Sequence, residues 1–240
     1  MKRIKTFIFA MMALTTVALT FQSCLDDDDD DNYICIYPDT NYGVVTLKPT
    51  AIGDNEWYIQ LSDSSIVTCS NIKKFPYDNK KEYRAYIYFK FDSDPSLAAM
   101  INSITVTRID TILTKQLAPN FESVEANNKA YGNDPVEIVK SQLETLAEDG
   151  YMNIRFRTNW TPGSQHRVNL VRVADEDGLA TFQFHHDANG IISGTPGDGM
   201  VSFYLDLEKD IDRTPRDIKI KWKSFSGDKS QTFKYIPRNE

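Results

Sequence analysis

The sequence predicts an all-β protein: an N-terminal five-stranded OB-like barrel, a C-terminal antiparallel β-sandwich, and one capped helix between them. Three observations predict it. Apolar and polar residues alternate with a period of two along most of the chain beyond residue 40. Five such runs fall before residue 118 with no convincing helix among them, which suits a small closed or partly closed barrel better than a flat sheet. Beyond residue 150 the alternation returns, separated by Asp177-Gly178, Asn189-Gly190 and Ser226-Gly227-Asp228 as hairpin turn signals. With 41% hydrophobic and 12% aromatic residues, the chain can fill packed cores.

Residues 1–23 read as an export signal. Lys2, Arg3 and Lys5 form a positive start, and Phe7 to Phe21 form an apolar stretch too short and too broken by threonine for a membrane span. Ser23 before Cys24 then suggests processing beside the cysteine. The segment resembles a bacterial lipobox, with Phe21 and Gln22 where small or leucine residues are commonest. That resemblance implies that Cys24 becomes the acylated first residue of the mature chain. Ordinary secretion, with Cys24 a plain thiol, is the alternative.

Asp26, Asp27, Asp28, Asp29, Asp30 and Asp31 follow at once. They cannot enter hydrocarbon and they repel one another, so residues 24–36 make an extended, solvated linker. Several acyl chains, at about 0.8 kcal/mol per buried methylene, would hold such a chain at a membrane. The acidic run resembles the export signal behind the lipidated cysteine of surface-exposed lipoproteins in Bacteroides-like bacteria. It implies an outer-membrane, cell-surface location, with a plain spacer on a periplasm-facing lipoprotein as the alternative. Specific calcium binding is disfavoured, because an unstructured run lacks a rigid oxygen cage.

Residues 1–23 carry three basic residues and no acid, so the 27 basic and 34 acidic residues of the full chain become 24 and 34, a formal charge of −10. Nucleic acid and anionic lipid surfaces are therefore poor partners. With Cys24 assigned to lipid, Cys35 and Cys69 remain, either as a disulfide tying the linker to the first domain or as two independent thiols.

The barrel domain is expected over 37–118, from YGVVTLK, EWYIQL, SIVTCS, EYRAYIYFKF and SITVTRIDTIL. Trp57, Ile59 and Leu61 share one face. Tyr83, Ala85, Ile87, Phe89 and Phe91 would point inward, leaving Arg84, Tyr86, Tyr88 and Lys90 on the outer face. Ile104 and Val106 are out of phase with Ile109, Thr111 and Leu113, so a bulge is expected near Thr107 or Arg108. Residues 119–133 read as a linker. DPVEIVKSQLETLAEDG, from residue 134, reads as the helix, with Asp134 as N-cap, Pro135 at the first position, Glu137 in a capping box and Gly150 at the end. The helix and sandwich fill 134–240. Met152, Ile154 and Phe156, Phe182 and Phe184, Val201, Phe203, Leu205 and Leu207, and Ile218, Ile220 and Trp222 make its buried faces.

No catalytic residue or metal site is assigned. His185 and His186 are adjacent on a strand and point to opposite faces, so they cannot share one ion from regular geometry. GTPGDG at 194–199 lacks the Lys-Ser or Lys-Thr of a nucleotide loop and reads as a flexible hairpin connection. No serine sits in a nucleophile elbow. Lys73, Lys74, Arg84, Tyr86, Tyr88 and Lys90 form a candidate ligand face, chemically a stacking platform with a cationic rim. A solvated strand face whose tyrosines cover the neighbouring strand is the plainer reading, and it outweighs the first.

YMNIRF, HRVNLVR, TFQFHHDANG, GMVSFYLDL and IKIKWKSFSG, behind an acylated cysteine and an acidic spacer, together resemble the NigD-like lipoproteins of Bacteroides-type bacteria. The resemblance implies an OB-like domain followed by a family β-sandwich. It carries no catalytic residue and no cofactor, because the family is named from association with a bacteriocin gene cluster. The expected function is a lipid-anchored, non-enzymatic envelope protein that binds a protein partner, in an immunity-like role. A glycan ligand is the alternative, and a structural component without a specific ligand is a third reading.

Overall fold

The computed structural model describes residues 41–50, 57–73, 75–78, 80–93, 103–191, 193–205, 207 and 213–238. The first five strands are β1 (Asn41–Pro49), β2 (Trp57–Ser62), β3 (Ser65–Cys69), β4 (Tyr83–Phe91) and β5 (Ser103–Thr111). They close into a barrel in the order β1-β2-β3-β5-β4, with β3 and β5 parallel and the other pairs antiparallel. The alternating residues fill its interior: Val45, Leu47, Ile59, Ala85, Ile87, Ile104 and Val106 are buried in one cluster. Each fully buried aliphatic side chain of this kind contributes about 1.5–3 kcal/mol. The segment between β3 and β4 plugs one end, with Phe75 edge-on to Trp57 at 5.7 Å and Tyr77 against Tyr83 at 4.9 Å. The register slips where Tyr88 faces Arg108 and Phe89 faces Val106, so Thr107 is the bulge residue.

The chain enters the sandwich at β6 (Leu113–Gln116), ahead of the expected boundary at 118, because β6 pairs with a strand of the second domain. The other elements are α1 (Val124–Tyr131), β7 (Glu137–Ile138), β8 (Leu146–Glu148), β9 (Tyr151–Trp160), β10 (Arg167–Arg172), β11 (Ala180–Asp187), β12 (Thr195–Tyr204), β13 (Arg216–Ser224) and β14 (Gly227–Tyr235). One sheet runs β10-β11-β13-β14 and the other β6-β12-β9-β7, with β8 also on β9. Most pairs are antiparallel; β11 with β13 and β12 with β6 are parallel. Met152, Ile154, Phe182, Phe203, Ile218 and Ile220 are fully buried between the sheets.

Two expectations are corrected. Residues 134–150 form no helix; they form the short strands β7 and β8 and the turns between them. Asp149 and Gly150, at φ 50° and 78°, are the two central residues of the β8–β9 hairpin, where positive φ at both positions matches the twist of the strands. The helix lies instead in the expected linker. Ser123 caps it by accepting from the Ala126 amide at 3.1 Å, and Gly132, at φ 86°, ends it. GTPGDG is likewise strand rather than hairpin connection: Thr195 opens β12. A Cβ on Gly199 would stand 2.5 Å from the Phe156 ring, which occupies that space.

The β8–β9 hairpin turn joins the two domains. Asp149 is buried, and its carboxylate accepts from Thr46 Oγ1 at 2.5 Å and from Lys48 Nζ at 2.8 Å, both on the outer face of β1. Arg84 Nη1 donates to the same Thr46 hydroxyl at 2.6 Å, and its guanidinium lies 5.2 Å from the Tyr151 ring. The Asp149 amide donates to Asp63 Oδ1 at 2.7 Å. Glu82 receives Arg238 Nη1 at 2.6 Å, a second bond from Nη2, and the Tyr151 hydroxyl. Burial pushes Glu148 up to about 7; Arg84 opposes that shift, while Asp63 and Asp149 add to it.

Two outcomes follow for this junction. Asp149→Ala strands Lys48 and the Arg84–Thr46 pair without their acceptor and should cost about 3–5 kcal/mol. Asp110→Ala, which removes the exposed Arg108–Asp110 pair, should cost less than about 1 kcal/mol; denaturant unfolding of both variants checks the contrast. Glu148 has a folded pKa above its unfolded value, so its contribution is present below about pH 4.3 and is lost as pH rises through 7. The stability of Glu148→Gln relative to the parent chain should therefore increase from pH 5 to pH 8. A constant difference across that range would contradict the assignment.

Candidate functional site

Alternate residues of β4 share the outer face of the barrel, and that face runs from sealed to open. Arg84 is only 1% exposed, Tyr86 and Tyr88 are half-buried, and Lys90 is exposed. Cross-strand register sets the neighbours: Thr46 with Arg84, Val44 with Tyr86, Tyr42 with Tyr88 on β1, and Asp110 with Tyr86, Arg108 with Tyr88 on β5. The rings make a connected patch. Tyr42 stacks on Tyr86 at 5.8 Å and meets Tyr88 at 6.1 Å, and Tyr86 is edge-on to Tyr88 at 5.4 Å. Tyr42 remains 45% exposed.

The outer face of β9 stands opposite. Its residue Tyr151 closes over Arg84, whereas farther along the strand the two faces part into a cleft of about 450 Å³. Tyr86 and Tyr88 form one wall, Glu144, Arg155 and Asp198 the other, and the β5–β6 connection at Ile112 lies along it. The second wall is fixed by ion pairs. Arg155 Nη1 reaches Glu144 Oε2 at 2.5 Å, Arg155 Nη2 reaches Asp198 Oδ2 at 2.6 Å, and Arg157 Nε reaches Asp198 Oδ1 at 2.6 Å. The Arg157 hydrogen bond, with help from Arg155, holds the Asp198 carboxyl below the usual carboxylate range against the effect of burial. Burial raises the pKa of Tyr86, and the nearby Glu144 carboxylate adds to that shift.

The expected ligand face is therefore divided. Arg84 is corrected: it does point out of the barrel, but the sandwich covers it, and it belongs to the domain junction. Tyr86 and Tyr88 do line an accessible cleft, and Lys90 stands one alternation beyond Tyr88. Lys73 is exposed in the connection after β3. Cys24, the aspartates 26–31, Cys35 and Lys74 lie outside the described residues. Cys69 ends β3, and its thiol donates to Asn71 Oδ1 at 3.2 Å. Sequence reasoning did not single out Tyr42, Glu144, Arg155 or Asp198 as site residues. The available signals were the tyrosine in phase with the β1 alternation and the Arg155-x-Arg157 pattern on the wet face of β9.

His185 and His186 are both buried, at 2% and 1% exposure. His185 Nδ1 bonds the Gly132 carbonyl at 2.9 Å, so it carries the proton, and His186 Nε2 pairs with His166 Nδ1 at 2.9 Å. Burial lowers the pKa of all three histidines. Among the described residues, no group of three or more His, Cys, Asp or Glu side chains is arranged to hold a metal ion.

No curated protein matches the chain. Solved structures do. A candidate toxin-related protein from Parabacteroides distasonis is 29% identical with a TM-score of 0.65, over 82% of this chain and 94% of its own. A NigD-like immunity protein from Bacteroides caccae is 18% identical with a TM-score of 0.57, over 82% and 97%. A candidate lipoprotein from Bacteroides fragilis is 10% identical with a TM-score of 0.53, over 83% and 99%. The last two share the fold. Residues 118–235 match the family described as NigD-like C-terminal beta sandwich domain, so the chain carries a NigD-like sandwich domain behind a five-stranded barrel.

Proposed function

We propose that this chain is a lipid-anchored protein of the outer membrane, displayed at the cell surface, that acts without catalysis by binding a ligand in the cleft between barrel and sandwich. The observation that carries the reading is the pairing of an exposed tyrosine patch with a wall of fixed charges across a cleft that only the two domains together create. Its walls are the interior strands β4, β9 and β12 together with the turn at Glu144, which Arg155 ties to β9, so the site is largely preformed and little ordering cost attends binding. The non-catalytic reading is supported by the state of the cleft carboxylates. Glu144 and Asp198 are bound by arginine, so neither is poised as a general acid or base.

The anchor is supported by Cys24 and its acidic spacer, and by the lipoprotein name of the Bacteroides fragilis structure. A second reading, a protein partner with an immunity-like role, is favoured by the name of the Bacteroides caccae structure. A single protein adduct formed by cross-linking on intact cells, and lost in Tyr88→Ala, would carry it.

Acylation and display are tested on the native protein. The mature chain should begin at an acylated Cys24, Cys24→Ala should move it from the membrane fraction to the soluble one, and protease added to intact cells should remove it. A different first residue would overturn the anchor, and full protection from protease would place the chain on the periplasmic face.

A further inference from the structure

We infer that the cleft holds a neutral saccharide chain, stacking sugar rings on Tyr86 and Tyr88 and on the adjoining exposed ring of Tyr42, and fixing hydroxyls on the opposite carboxylates; this rests on the cleft being the recognition surface. Four features of the site point there together.

The strands that carry the tyrosines, Arg155 and Asp198 offer no free edge; β6, which brings Leu113 to the cleft, is the edge strand of its sheet. β4 is bonded on both sides by β1 and β5, β12 by β6 and β9, and β9 by β12 and by β7 and β8. A peptide cannot add itself as a further strand beside β4, β9 or β12, so recognition on these walls falls to side chains. The side chains on the barrel wall are aromatic. Ring faces carry partial negative charge and attract the weakly positive C–H groups that line one face of a pyranose, while the tyrosine body supplies apolar contact.

The opposite wall supplies acceptors. Each ionised carboxylate oxygen has two lone-pair directions. Asp198 Oδ2 is filled by Arg155 and Arg157, but among the described residues Asp198 Oδ1 accepts only from Arg157 Nε and Glu144 Oε2 only from Arg155 Nη1, so acceptor capacity remains on Glu144 and on Asp198 Oδ1. Neutral donors in adjacent pairs are what sugar hydroxyls present. Because the guanidinium groups already hold these carboxylates in place, accepting such bonds costs little reorganisation.

Charge selects among saccharides. Asp110, Glu144 and Asp198 line the cleft, and the guanidinium groups beside them are already committed: Arg155 to Glu144 and Asp198, Arg157 to Asp198, and Arg108 to Asp110. A uronate or sulfate group would have to displace one of these carboxylates to reach a guanidinium. A neutral chain pays no such penalty.

The test uses the detergent-solubilised full chain, first on an array of neutral and acidic glycans and then by calorimetric titration with the strongest neutral oligosaccharide. Neutral oligosaccharides should bind and uronate- or sulfate-bearing ones should not, and Tyr42→Ala and Tyr88→Ala should each weaken binding tenfold or more. Tyr42 is exposed, so its variant keeps the parent melting behaviour and separates a lost contact from a lost fold. Acidic glycans that bind and depend on Tyr42 and Tyr88 would overturn the neutral class while leaving the cleft as the recognition surface. Neutral saccharides that bind equally well to both variants would overturn this site. No saccharide binding, with a Tyr88-dependent protein adduct on cells, would overturn the saccharide and keep the cleft; neither result would remove both readings.

Discussion

The Asp149 carboxylate sits where the barrel and the sandwich meet, and the relation of the two domains depends on it. A carboxylate buried alone is costly, and so is the fully buried guanidinium of Arg84. Thr46 is shared between them, accepting from Arg84 and donating to Asp149, and Lys48 adds a second positive group. Each charge is tolerable because the others are present, and the bonds are directional. An apolar junction could slide by a methylene at small cost, whereas this one loses its acceptor if the hairpin turn shifts by about an ångström. Arg238 strengthens the restraint from the other end of the chain through its two bonds to Glu82.

That fixed junction gives the cleft its shape. Side chains 84, 86 and 88 repeat along one face of β4, and the opposite face of β9 closes on the first and diverges from the last. The tyrosines are exposed because the wedge opens, and the wedge opens because the turn at Asp149-Gly150 pins its narrow end. Stability and recognition thus share one strand, with a buried arginine serving the first and the tyrosines two and four residues later serving the second. A substitution at the narrow end would alter the spacing at the wide end without touching it.

The alternation of side chains made the barrel legible down to its irregularity: the change of phase between Val106 and Ile109 is the bulge at Thr107. The sandwich faces were legible for the same reason. The segment 134–150 was not. Asp149-Gly150 ends a helix or turns a hairpin with equal local chemistry, and strands of two and three residues are too short to show a period of two against apolar positions that also fit a helical face. The real helix at Val124–Tyr131 lies among asparagines and buries only Asn127, so it offers no apolar stripe. Arg84 shows a further limit. Alternation states correctly that it leaves the barrel interior, but a face that leaves one domain can enter another, and periodicity reads the same in both cases. For Tyr86 and Tyr88 the outward assignment sufficed, because the covering domain has already drawn away there.

The glycines of β12 complete the sandwich wall in a way that composition conceals. Gly197 and Gly199 carry no side chain into the sandwich, and the rings of Trp160 and Phe156 from β9 occupy the vacated space. Asp198 between them points the other way, into Arg155 and Arg157. One short stretch therefore does two things: its glycines let the core aromatics press against the strand from inside, and its aspartate organises the charges outside. Phe156 in turn lies 6.2 Å from His186, which is paired with His166. The position of the anionic wall is thereby tied to the packing of the sandwich core, and all but the first residue of GTPGDG, which resembles a loop in composition, belong to strand β12.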